Sequence, residues 1–365
     1  MIKLATIFSG IGSIEWALKR MNIDYEIVFA CDNGDIELKD INEDEIKKKM
    51  FSLKTLDEQK AYEEELFSEV KKTNFVKSTY FANYDIDEKN FHYDVRFLDG
   101  NKYKGQVDLF VGGSPCQAFS IMGYKKGFED TRGTLFYEYA RLVKEIEPKV
   151  FIFENVQGLL KHDGGKTWEI IQKVFNSLGY NISFRVLDSK DYGIPQTRRR
   201  LIVVGFKENK NISEPSPIKL KYTLQDFLET NTKYGNLLSK NGKIVLEKET
   251  SDIDDKYFLS DLVYKHVMST GTKNYYTRPK VDLTIARPLL ATMHKMHRAG
   301  VDNYVTYKDR LRKLTPRECM RLMGYDDTFK IVVSDTQAYK QAGNSIVVDV
   351  MIAIMKEILK VENFD

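Results

Sequence analysis

A chain of 365 residues has enough interior to fold as one large or two ordinary domains without disulfide or metal staples. Its net charge of +3 is too small to announce a polyanion partner. The three cysteines, Cys31, Cys116 and Cys319, are odd in number, far apart and without metal-ligand spacing, which argues against a disulfide scaffold or zinc site and fits a reducing compartment. The opening Met1-Ile2-Lys3-Leu4-Ala5-Thr6 lacks the basic head and apolar stretch of a signal peptide, and no apolar run approaches bilayer-crossing length. A soluble, cytoplasmic protein is expected.

Taken in order, 4–8 reads as a strand, 13–21 as a helix and 26–31 as a strand. From about 39 to 72, lysines and glutamates surround Ile46, Met50, Leu53, Leu56, Leu66 and Val70 at roughly helical spacing. That pattern predicts one or two amphipathic helices inserted into a sheet domain, with a solvated face packed at the edge of the core. A strand over 107–111, a helix over 134–146, a strand over 150–153, a helix over 167–178 and strands over 182–187 and 201–205 follow. Such alternation predicts an α/β fold, a mostly parallel sheet with helices on both faces. Regularity is lost over about 207–309, where prolines and polar turns separate short β-like runs at 243–246 and 304–307. This stretch predicts a small, irregular second domain. Thr315-Pro316-Arg317-Glu318 is a helix start, with Thr as N-cap, Pro in the first turn and Glu at the third position. An apolar helix over 346–359 closes the chain, with no regulatory extension expected before Leu4 or after Leu359. The predicted organisation is one domain of 1–206 plus 311–365 and another of 207–310.

The chemistry gathers where strands end. Gly112-Gly113-Ser114-Pro115-Cys116-Gln117 breaks the 107–111 strand and presents a thiol where open α/β sheets bind ligands. Cys116 is either such a displayed thiol or a small core residue. Phe8-Ser9-Gly10-Ile11-Gly12-Ser13 joins the first strand to the first helix, and its glycines let backbone approach a ligand at a helix N-terminus. Asp32 follows about twenty residues on, at the end of the next strand, where a carboxylate accepts ribose hydroxyls. The pair favours an adenosine-containing cofactor. Ser13 replaces the third glycine of a dinucleotide fingerprint, which argues against NAD.

Glu154 follows the apolar run Phe151-Ile152-Phe153, so burial should raise its pKa and let it donate a proton near neutrality. The alternative is a helix-capping acid. In Gln196-Thr197-Arg198-Arg199-Arg200, strand alternation turns Arg198 and Arg200 to one face and Arg199 to the other. Two guanidinium groups beside the cysteine strand suit substrate binding and a thiolate. Between Arg278 and Arg321 cations outnumber acids, which suits a phosphate backbone.

The ordered blocks Phe8-Ser-Gly-Ile-Gly12, Gly113-Ser-Pro-Cys-Gln117, Asp130-Thr-Arg-Gly-Thr-Leu-Phe136, Glu154-Asn-Val156, Gln196-Thr-Arg-Arg-Arg200, Arg312-Lys-Leu-Thr-Pro-Arg-Glu318 and Gln341-Ala-Gly-Asn-Ser-Ile346 span nearly the whole chain. Together they resemble the DNA (cytosine-5) methyltransferase family, in the compact bacterial or phage form. The resemblance implies a Rossmann-like, S-adenosylmethionine-dependent sheet domain and a target recognition domain over 207–310. It implies methyl transfer to C5 of a cytosine flipped from double-stranded DNA, with S-adenosylhomocysteine as product and no metal. Cys116 would attack C6, Glu154 would serve N3, and Arg198 and Arg200 would steady the base and a phosphate. Gln117 would steady the surrounding loop.

For the cofactor, the resemblance implies Phe8, Gly10, Ile11, Gly12, Asp32, Asp94, Pro115, Leu135, Asn344 and Ser345. Asn33 stands where the family often has an aromatic residue. The candidate DNA-reading loop is 291–298, whose His294 and His297 are equally well surface residues. A companion restriction endonuclease, a monomeric state and a nucleoid-associated cytoplasmic location in a bacterial or phage-infected cell are further expectations. The rival readings are the same chemistry on tRNA and a catalytically silent DNA-binding relative.

Overall fold

The computed structural model describes residues 1–114, 135–231, 235–247, 252–272 and 275–364. Its framework is a seven-stranded sheet built from β1 (Ile2–Ile7), β2 (Tyr25–Cys31), β3 (Phe91–His92), β4 (Leu109–Gly112), β5 (Val150–Val156), β6 (Asn181–Asp188) and β7 (Arg199–Phe206). The order across the sheet is β3-β2-β1-β4-β5-β7-β6. The first five strands of that order pair in parallel, whereas β7 runs antiparallel to both β5 and β6.

Alternating side chains feed two cores, one on each face, as expected of a sheet covered on both sides. Leu4, Leu109, Val111, Val150, Ile152, Ile202 and Val204 belong to one. Ala5, Ile7, Phe110, Phe151, Phe153, Leu201 and Val203 belong to the other. The first face is covered by α1 (Ser13–Arg20), α8 (Pro316–Leu322), α9 (Asp335–Asn344) and α10 (Val348–Val361), the second by α5 (Leu135–Ile146) and α6 (Lys166–Ser177).

Between β2 and β3 lie α2 (Glu43–Ser52), α3 (Leu56–Ser68) and α4 (Phe75–Asn83). The sequence spacing predicted α2 and α3, and their starts are fixed by the Asn42 cap and the Thr55–Glu58 capping box. It missed α4, which the Asn74 side chain caps. It also missed α9, whose polar, glycine-containing sequence lacks an obvious stripe. The closing helix begins at Val348 rather than at 346, because 345–347 are extended after α9. Strand β5 continues to Val156, so Glu154 is a strand residue and not a helix cap.

After β7 come the hairpin β8 (Asn236–Lys240) with β9 (Lys243–Glu247), then α7 (Asp261–Val267), the short pair β10 (Gly271–Thr272) with β11 (Tyr275–Tyr276), and the pair β12 (Tyr304–Tyr307) with β13 (Arg310–Lys313). Leu224, Phe227 and Leu237 join the core of the sheet domain, while Val267, Ala299 and Tyr304 form a small cluster of their own. Arg312 and Glu318 form a fully buried ion pair of 2.8 Å where this segment returns to the sheet domain. The Thr315–Glu318 capping box read from the sequence starts α8 beside it. No helix among the described residues is long and apolar enough to cross a membrane.

Candidate active site

The carboxyl ends of β1, β2, β4 and β5 share one edge of the sheet, and a cavity of about 1180 Å³ opens there. Because β7 is antiparallel, its first residues arrive at that same edge. That is larger than the roughly 300–1,000 Å³ common for one small ligand, so it has room for two reactants.

At the end of β1, Phe8, Gly10 and Gly12 all have positive φ, of 50°, 54° and 79°. Gly12 caps α1, and a Cβ there would lie 2.3 Å from the Tyr84 ring. The Tyr84 hydroxyl donates to the carbonyls of Ile11 and Gly12 at 2.9 and 2.6 Å, so a glycine is required. Asp32 accepts the backbone N–H groups of Gly34 at 2.8 Å and of Gly10 at 2.9 Å. It thus ties the β1–α1 loop to the end of β2. Burial raises its carboxyl above the ordinary range, against those two donors. Asp94 is buried, and its carboxylate pairs with Arg96 at 2.6 Å.

Phe8, Gly10, Ile11, Asp32, Asp94, Leu135 and Asn344 all line the cavity. Gly12 stands behind its wall against Tyr84, and the Ser345 hydroxyl is turned inward, 3.0 Å from both Ser13 Oγ and the Tyr325 hydroxyl. Apolar Phe8, Ile11 and Leu135 beside two carboxyls make a chemically suitable berth for an adenosine-bearing donor.

The same cavity is lined by Glu154, Arg198 and Arg200. Arg200 Nε lies 2.9 Å from Glu154 Oε1. Burial pushes the Glu154 carboxyl up, opposed by the charges of Arg200 and Arg198. A Cβ at Gly113 would stand 2.6 Å from Glu154 Oε2, so this glycine gives the carboxyl its room. Alternation along the strand start is as the sequence predicts, since Arg199 points elsewhere and pairs with Asp188 at 3.2 Å.

Arg198 is held differently from Arg200. Its guanidinium donates to the carbonyls of Leu289 at 2.9 Å, Gly343 at 2.8 Å and Ser345 at 3.0 Å. Burial and neighbouring Arg200 push its pKa down to about 9, which still leaves it charged at neutrality. Those three carbonyls make Arg198 a clamp between β7, the 289–291 segment and the end of α9. The clamp is tight, because a Cβ on Gly343 would lie 2.2 Å from the Ala291 nitrogen.

Cys116, Gln117 and Pro115 lie outside the described residues. The chain reaches them from Ser114, whose carbonyl accepts Asn155 Nδ2 at 3.0 Å. Asn155 is therefore an anchor for the start of the cysteine segment, a role that the sequence pattern does not single out. The other two cysteines, Cys31 and Cys319, are fully buried, and burial holds both thiols well above their usual range. Gln196 is a second anchor, donating to the Leu322 carbonyl at 2.7 Å and accepting from Leu289 N–H at 3.0 Å.

The loop 291–298 begins against Gly343. Its Thr292 hydroxyl lies 2.9 Å from His297 Nε2, and Arg298 Nε donates to Ser269 Oγ at 2.9 Å. Among the described residues, no group of three His, Cys, Asp or Glu side chains has a metal-holding arrangement.

Comparison with known proteins converges on one family. The model of the C-5 cytosine-specific DNA methylase matches residues 56–360. The type II methyltransferase M1.ScrFI of Lactococcus lactis subsp. cremoris is 39% identical over 79% of this chain and 70% of its own length. The type II methyltransferase M.HhaI of Haemophilus parahaemolyticus is 38% identical over 67% of this chain and 73% of its own. The orphan methyltransferase M.SPRI of Bacillus phage SPR is 28% identical over 98% of this chain and 97% of its own. Among solved structures, the S. pombe Dnmt2 methyltransferase shares the fold with a TM-score of 0.66, at 18% identity and with 99% of each chain covered.

Proposed function

The chain belongs to the C-5 cytosine-specific DNA methylase family, and from that footing we propose that it methylates C5 of one cytosine within a specific sequence of double-stranded DNA. The target base is swung out of the duplex, because its reacting carbons are shielded in the stack. The Cys116 thiolate bonds to C6. Glu154, whose carboxyl burial raises against the charges of Arg200 and Arg198, donates to N3 and holds the exocyclic amine, so the charge entering the ring is met by a proton. C5 becomes the nucleophile. S-adenosylmethionine, when bound, supplies the methyl group in activated sulfonium form. Loss of the C5 proton then breaks the C6–sulfur bond, releases Cys116, and N3 returns its proton to Glu154. Covalent attack and placement of two reactants share the work.

The donor would be held by Phe8, Gly10, Ile11, Asp32, Asp94, Leu135 and Asn344, with Gly12 and Ser345 behind them and Pro115 beside Cys116. Arg200 orients Glu154 and the base, Arg198 fixes the wall around them, and Gln117 steadies the cysteine loop. Residues 207–310 would act as the target recognition domain, with 291–298 reading base edges and nearby cations gripping phosphate. The names of the relatives, type II and orphan methyltransferases, support a modification enzyme of a bacterium or phage, with or without a companion endonuclease; a monomer on nucleoid DNA in the cytoplasm completes the reading.

The observation that carries this reading is the half-buried Glu154–Arg200 pair, in one cavity with the loops of Gly10 and Asp32. The test offers duplex DNA and tRNA side by side with methyl-labelled donor, followed by bisulfite sequencing of the DNA. Labelled 5-methylcytosine in a recurring DNA sequence is expected, and label confined to RNA would refute the proposal.

A further inference from the structure

Between Asp32 and β3 the chain makes a long excursion through α2, α3 and α4. A purely solvated insertion would turn its length to water, yet this one faces the cavity. Leu38, Ile41, Glu43 and Lys47 line it, as does Phe75 in the first turn of α4. Leu38 and Ile41 are half-buried against Ile46, Met50 and Phe97, and their remaining surface meets the cavity. The residue following Asp32 is Asn33, which offers no aromatic face. Apolar surface on that side therefore comes from the insertion and from Phe75.

Two ionic bridges fasten this wall to the sheet domain. Arg96 spans from Asp94, at 2.6 Å, to Glu43 of α2. Lys47 Nζ reaches Glu138 Oε1 of α5 at 2.6 Å, and Glu138 is itself braced by Arg141 at 2.8 Å. All five of Asp94, Arg96, Glu43, Lys47 and Glu138 also line the cavity. Partly exposed ion pairs are individually weak, so fasteners of this kind hold a wall in place while letting it yield.

We propose that the first part of the insertion, residues 37–47, forms the nucleoside-side wall of the methyl-donor pocket. Leu38 and Ile41 are its contact surface, and the Glu43–Arg96–Asp94 and Lys47–Glu138 bridges set how long the donor stays bound. The inference rests on reading the cavity as the donor site, and it assigns to the insertion a part in that site. An apolar wall meets the face of a purine, while the bridges keep the flanking carboxylates from repelling one another. Lys47 and Arg96 act through the wall and are positioning residues.

The test is calorimetric titration of the full chain with S-adenosylmethionine and with S-adenosylhomocysteine, without DNA, together with stopped-flow release of each. Leu38→Ala with Ile41→Ala should weaken both ligands about tenfold, as loss of a few buried methyl groups requires. Lys47→Met should speed release several-fold, and Lys47→Arg, which keeps the bridge, should hold the parental rate. Lys47→Met leaves the apolar packing intact, so the proposal stays testable even if the double alanine variant fails to fold. Folded variants that bind and release both ligands as the parent does would overturn the inference, and the donor site would stand. A parent chain that binds neither ligand would overturn the reading of the cavity, and the inference with it.

Discussion

Replacing Glu154 with Gln isolates the proton that the site is built to hold. The amide keeps the shape of the carboxyl beside Gly113, where only 2.6 Å separates Oε2 from a virtual Cβ, and it still accepts from Arg200. What it loses is a transferable proton. A positioned acid contributes about 10²–10⁴-fold to such steps, so single-turnover methylation should slow by that factor, or about 3–5 kcal/mol of barrier. Burial raises the Glu154 carboxyl above its unfolded value, so the folded chain binds the extra proton. Its stabilising contribution is present at low pH and lost as pH rises through the folded pKa. Glu154→Gln, which has no proton to lose, should therefore gain stability relative to the parent as pH rises through that pKa, read from melting curves. The assay is rapid quench with enzyme in excess over duplex, across pH. The parental rate should fall once pH passes the raised pKa, and the residual rate of the variant should lack that limb. A folded Glu154→Gln chain that methylates at the parental rate would refute the reasoning.

Arg312→Met should cost about 3–5 kcal/mol in chemical denaturation, because it strands the Glu318 carboxylate in a fully buried site. Adding Glu318→Gln should recover part of that loss. Glu15 is buried, accepts the hydroxyls of Tyr80 at 2.5 Å and Thr6 at 3.0 Å, and has its carboxyl raised by burial. The folded chain again binds the proton more tightly than the unfolded one, so the stability of Glu15→Gln relative to the parent should rise as pH is taken from 5 to 9, measured by melting curves. Gly343→Ala should destabilise by about 1–3 kcal/mol through overpacking and weaken DNA binding in filter assays, since the added methyl would displace Ala291 and loosen the Arg198 clamp.

The parallel strands and their helices are legible in the sequence because both faces of each strand are buried, which leaves short apolar runs between turn residues. Glu154, Arg198 and Arg200 are legible for the same reason, since alternation and strand ends are local features. The direction of β7 is not. Nothing within Arg199–Phe206 says that it runs against its neighbours, and yet that reversal is what brings Arg200 to Glu154.

Long-range ties are equally silent in a single chain. Asn155 reaches the Ser114 carbonyl, and Asp94 is engaged by Arg96, which also reaches Glu43. Ser345 turns inward to Ser13 and Tyr325, though it follows the cavity-lining Asn344 directly. The insertion reads as a charged surface helix pair, because lysine and glutamate dominate its composition. The residue before α4, Asn74, ties the excursion back to the Asp32 carbonyl at 2.8 Å, a tie that composition does not announce.

The most direct test of the account is a duplex carrying 5-fluorocytosine at the modified position, incubated with the chain and S-adenosylmethionine. Fluorine at C5 cannot leave as a proton, so the C6–sulfur bond should persist as a denaturation-resistant adduct that maps to Cys116 and disappears in Cys116→Ser. A parent chain that methylates the ordinary duplex but forms no adduct, or one joined through another residue, would contradict the covalent mechanism.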